Sequence, residues 1–171
     1  AFGRIEKDWG DMPEVRDYES GNIQKLISTG FRLFKVVKVP VLGAMAKKYG
    51  LSVLDKCDPK NVDVECAAKL IQSADRCAVG QRVCNVLNNG ADHGESVFLD
   101  ELADGLVKAG KAVYVEKEQA VNTIAVGRKG PIMISRVSGK HMEICRSIPK
   151  NCIYWNSEKH GLKCIDRKAC V

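Results

Sequence analysis

Between Asn22 and Tyr49 apolar residues recur every three to four positions, so that Ile23, Ile27, Phe34, Val37, Val41 and Met45 share one stripe while Lys25 and Arg32 lie opposite. That period predicts an amphipathic helix. Pro40 predicts a kink or division within it, because proline lacks an amide hydrogen and its ring clashes with the preceding turn. From Asp63 to about Asn88 the pattern predicts a second helix, capped by Asp63 and stopped by Asn88-Asn89-Gly90. Phe98, Leu99, Leu102 and Leu106 predict a third over Val97–Val107, closed by Gly110. Ala112–Val115 and Pro131–Val137 then read as short strands around a helix over Lys117–Ile124. This β-α-β order suggests a small parallel or mixed pair covered by helices.

The chain therefore reads as α+β and predominantly helical. An acidic N-terminal arm (1–20) precedes a helical half (21–90), a mixed α/β half (91–139) and a Cys/His-rich segment (140–171) without sustained period, all of which fit one compact domain. With 171 residues, 45% of them hydrophobic and 28% charged, the chain can bury a core and lies far from the composition of disorder. The most apolar stretch, Val36–Ala46, is interrupted by Lys38 and Pro40 and is too short to span a bilayer.

Charge is unevenly spread around the net +6. Residues 1–20 hold three basic and six acidic side chains, residues 20–54 six basic and no acidic ones, and residues 140–171 seven basic against three acidic. The arm can fold back on the basic segment or serve a separate surface. The basic helix over 22–49 is suited to dock an acidic protein partner or a larger redox subunit, and its amphipathic character also permits peripheral membrane contact. The commoner use of such a pattern is a core-packing helix with a solvated basic face. No nucleic-acid reader motif or aromatic platform accompanies the charge. Residues 1–6 carry no apolar leader, the missing initial Met fits either simple removal or trimming, and a reducing cytoplasm is the expected compartment.

Eight cysteines change the picture: Cys57, Cys66, Cys77, Cys84, Cys145, Cys152, Cys164 and Cys170. No two are closer than six positions, which excludes the C-x-x-C motifs of redox centres, zinc ribbons and haem attachment. On a continuous helix Cys66, Cys77 and Cys84 share a face but stand roughly 16 and 10 Å apart along the axis. Their convergence with Cys57 needs a break at Gly80, and burial as small hydrophobes is an equally natural role. Towards the C-terminus, Lys140-His141-x-x-x-Cys145 and Lys159-His160-x-x-x-Cys164 repeat a pattern, followed by Cys152 and Cys170 respectively. Three chemistries compete, in this order: iron–sulfur clusters of the [4Fe–4S] type, zinc, and disulfides. The first expectation assigns Cys57, Cys66, Cys77 and Cys84 to cofactor binding and Cys145, Cys152, Cys164 and Cys170 to a metal, in an electron-transfer protein or small subunit of a redox complex. The alternatives are a zinc-stabilised interaction module and a disulfide-bonded secreted binding domain. The electron-transfer reading does not require substrate turnover.

Other candidates carry less. His93, in Asp92-His93-Gly94, reads as a solvated loop histidine, and Asp100, Glu101 and Asp104 as a solvated helix face. Gly127-Arg128-Lys129-Gly130 lacks the spacing of a phosphate loop. Tyr154 and Trp155 can shield a redox centre or anchor the C-terminal segment.

Overall fold

A computed structural model describes residues 13–87, 95–126, 129–167 and 170. The mixed α+β class holds; among the described residues the strands pair antiparallel, with one isolated parallel bridge between Lys60 and Asp166. After α1 (Val15–Ser20), the long amphipathic pattern forms α2 (Asn22–Val36) and α3 (Leu42–Cys57). The division falls at Pro40, as the sequence implies, and Val41 takes a left-handed φ of 67° at the corner. Gly43 permits the tight turn, since a Cβ there would stand 2.2 Å from the Val37 carbonyl oxygen. The second half runs on past Tyr49 to Cys57 and ends at Asp58.

The strand β1 (Lys60–Val62) leads into α4 (Val64–Ser73), whose cap Asp63 accepts a hydrogen bond from the Cys66 amide at 2.8 Å. The expected helix over Asp63–Asn88 stops there. Cys77–Gln81 is instead an interior strand, β2, followed by the short α5 (Val83–Leu87). Ladder bonding to neighbours on both sides outweighs a helical period that nothing else supports. Likewise Val97–Leu99, expected in the third helix, belongs to β3 (Glu95–Leu99), and α6 (Asp100–Lys108) begins only afterwards.

Next come β4 (Ala112–Val115), α7 (Lys117–Ala125) and β5 (Ile132–Val137), close to their expected bounds. They do not form a β-α-β pair. The sheet order β1-β5-β6-β3-β2-β4 puts β4 at one edge and β5 beside the other. The neighbour of β5 is β6 (Lys140–Arg146), joined to it through Ser138 and Gly139, both at positive φ in a tight hairpin turn. The C-terminal segment, expected to be irregular, thus supplies an interior strand and a helix, α8 (Ile153–Lys159).

Helices α4 and α7 cover one face of the sheet, where Ile71 and Ile124 join Val97, Ile134 and Ile144 in the main core. The opposite face lies under α1, α2, α3, α6 and α8. No helix among the described residues is long and apolar enough to cross a membrane.

Candidate functional site

Side chains alternate across a strand, and this places a polar group inside the protein. Along β6, Met142 and Ile144 enter the main core, so Glu143 and Cys145 face the other way, beneath α2, α3 and α8. The register sets Glu143 opposite Phe98 of β3 and Ser135 of β5. Ser135 Oγ donates to Glu143 Oε2 at 3.3 Å and the Tyr18 hydroxyl to the same oxygen at 2.6 Å. From the β2–α5 junction Arg82 joins them, its Nε 3.8 Å from Glu143 Oε1. Arg82 is only 5% exposed, and its Nε and Nη1 have no hydrogen-bond partner. Burial works against the guanidinium charge, the neighbouring groups raise its pKa, and the group stays protonated beside the Glu143 carboxylate.

Above this floor lies a narrow apolar cavity with about 100 Å³ of free space, several times what one water needs. Its α2 wall runs from Ile23 to Phe34, roughly 16 Å of helix axis. Leu26, Leu33, Val53, Leu54, Ile153 and Leu162 supply apolar surface, while Arg82, Glu143, Cys57 and Cys84 are among the polar lining groups.

The cysteines are distributed differently from the expected two groups of four. Cys66 and Cys170, one from each group, form a disulfide with Cα atoms 5.6 Å apart. Cys57 and Cys84 line the cavity, with Cys152 near Cys84. Cys77 lies in the main core, its thiol 3.9 Å from the Ile71 carbonyl. Cys145 is buried in a smaller core with Met133, and Cys164 packs against that core with its thiol 3.9 Å from the Tyr154 carbonyl.

Among the described residues no three His, Cys, Asp or Glu side chains stand close enough to share a metal ion. Burial pushes the Cys57 thiol up to about 12, Cys84 to about 11 and Cys164 to about 12. The two expected groups of four cysteines are therefore not brought together among the described residues.

Neither histidine of the repeated pattern serves a shared centre. His141 Nε2 lies 3.1 Å from Asp58 Oδ2, which also pairs with Arg136, and His160 stacks on Phe34 with ring centroids 4.7 Å apart. Asp104 pairs with Arg76 and Glu101 with Lys140 at the surface, while Asp100 Oδ1 accepts from the backbone amides of Asp75 and Arg76. Tyr154 walls the cavity and Trp155 packs against the smaller core beneath the Arg167 guanidinium, in keeping with an anchoring role. His93 lies outside the described residues.

Arg82, Glu143 and Tyr18 did not stand out in the sequence. One signal was present: Glu143 interrupts the apolar run Met142–Cys145, and a carboxylate there is either on an exposed strand face or at an internal site. Comparison with known protein families, with curated proteins and with solved structures finds no match to this chain.

Proposed function

We propose that this protein binds a slender hydrophobic molecule, an alkyl or isoprenoid chain ending in a carboxyl or carbonyl group. Buried Arg82, which is among the residues lining an apolar cavity and whose Nε and Nη1 have no hydrogen-bond partner, carries this reading. Each buried N–H without an acceptor costs about 1–3 kcal/mol, and an oxygen of the ligand head recovers that. Glu143 leaves the guanidinium only partly satisfied at 3.8 Å, because Tyr18 and Ser135 occupy its other oxygen. The length of the α2 wall favours a chain over a compact ring system. Apolar walls with a few convergent polar groups are the usual form of a small-molecule site. The raised thiol pKa values make Cys57 and Cys84 lining groups, not nucleophiles.

The test is titration with 11-(dansylamino)undecanoic acid, read by dansyl emission, with unlabelled long-chain acids as competitors. Saturable binding is expected in the wild type, with a loss of at least ~10-fold in Arg82→Met and in the cavity-filling Ala46→Phe. Absence of saturable binding, or affinity unchanged in both variants, would overturn the reading.

A further inference from the structure

The corner between α2 and α3 turns its large apolar side chains outward. Val41 is 78% exposed, Leu42 58% and Met45 69%, with Val39 beside them. Leu42 and Met45 follow one another at i and i+3 on the outer face of α3. The inner stripe of the same helix, including Ala46, Gly50 and Val53, lines the cavity, so the outer stripe has no place in the core. Lys35, Lys38, Lys47 and Lys48 are all exposed around this tip, and no acidic residue occurs between positions 20 and 54. A clustered apolar patch of this kind marks an interaction site, unlike singly scattered hydrophobics.

The company it keeps identifies the partner. Lysine is depleted in protein–protein interfaces, whereas at a bilayer its aliphatic stem lies along apolar surface while the ammonium reaches lipid phosphates. Several amides at the corner are already bonded within it: Val39 N to Val36 O at 2.9 Å, Leu42 N to Pro40 O at 2.8 Å and Gly43 N to Val39 O at 2.7 Å. Entry into the headgroup–acyl boundary then leaves those donors satisfied. We propose that the α2–α3 tip docks on anionic membrane surfaces, with Val41, Leu42 and Met45 inserted among the lipids and the four lysines on their phosphates. This stands apart from the cavity reading, since it rests on side chains outside the cavity's inner stripe.

Sedimentation of the full chain with vesicles of phosphatidylglycerol and phosphatidylcholine in roughly equal parts, against pure phosphatidylcholine, tests it. The expected result is partitioning onto the anionic vesicles, weakened by added salt, and reduced roughly fivefold per lysine in Lys47→Gln and Lys48→Gln. Leu42→Asp/Met45→Asp should lower it at least ~10-fold while leaving the thermal transition and dansyl-acid binding unchanged. As a check independent of that double variant, the Val41→Trp emission should shift to the blue on anionic vesicles. The proposal fails if those vesicles do not carry down the wild type, or if the aspartate variant binds as well. Capture by soluble polyglutamate that depends on the lysines and ignores Leu42 and Met45 would assign the surface to an acidic protein instead, and overturn it.

Discussion

The Tyr18 hydroxyl donates to Glu143 Oε2 across 2.6 Å, tying the first described helix to the middle of β6, 125 residues away in sequence. Both groups are buried, and burial together with the nearby carboxylate drives the Tyr18 pKa well above its ordinary value. Tyr18→Phe removes the stronger donor to that oxygen and leaves Ser135 alone. A loss of about 1–3 kcal/mol in stability is expected, read from the urea midpoint at unchanged slope.

The Arg82–Glu143 pair should separate stability from function. An imperfectly bonded buried ion pair contributes little net stability, and removing one member alone exposes the cost of the other. Arg82→Met should therefore destabilise the chain. In Arg82→Met/Glu143→Gln the amide still accepts from Tyr18, so stability should return to the wild-type value or exceed it while dansyl-acid binding stays lost. Thermal melts beside the titration check both halves.

The Cys66–Cys170 disulfide spans a sequence separation of 104 and fastens the C-terminal tail to the first turn of α4. Cross-linking a loop of that length restricts the unfolded chain by roughly 4.7 kcal/mol, and typical measured values are about 2–4. Cys170→Ser should lower stability by an amount in that range, and dithiothreitol should do the same to the wild type but nothing further to the variant. Such bonds persist in oxidising surroundings, which bears on the cytoplasmic expectation drawn from the sequence.

The thiols of Cys57, Cys84 and Cys164 should resist alkylation. At pH 8 a thiol with a pKa near 12 is ionised to about one part in ten thousand, against roughly a quarter for an unperturbed cysteine. Iodoacetamide should leave Cys57, Cys84 and Cys164 unmodified in the native protein and label all three in urea, as peptide mass spectrometry would show. Rapid native labelling of Cys57 or Cys84 would contradict their burial.

Stability should fall in two steps as the solution is acidified. Burial, the largest influence, holds the His141 pKa below its ordinary value of about 6.5 even though Asp58 favours the charged form. The unfolded chain therefore takes up that proton first. The contribution of His141 is complete above pH about 6.5 and is lost as the pH falls from there through the lower folded value. Glu101, Asp104 and Glu158 are held below the usual carboxylate range by bonds to Lys140, to Tyr114 with Arg76, and to Arg167 respectively. Their contribution disappears below pH about 4.5. Urea midpoints should decline from pH 7 to 5 in the wild type and much less in His141→Asn.

The residues that the sequence interprets correctly are those whose structure is set by near neighbours. The break at Pro40, the cap at Asp63, helix α7 and the strands β4 and β5 all follow from local sterics, capping or periodicity. Cys77–Gln81 fails because its conformation is decided by β3 and β4 on either side of it. Cys66, Cys77 and Cys84 lose their shared stripe for the same reason, as the helix that would align them is divided by a strand.

The sequence by itself determined the amphipathic pair of helices, the basic stretch free of acids, and the presence of eight thiols. Tertiary structure alone decided that Cys66 meets Cys170, that no metal-binding group forms among the described residues, and that Glu143 lies inside against Tyr18 and Arg82. The division has a physical origin. Periodicity and capping act over a few residues, whereas the partners of a buried charge depend on strand register and sheet order, and a shift of one residue would turn Glu143 to the opposite face.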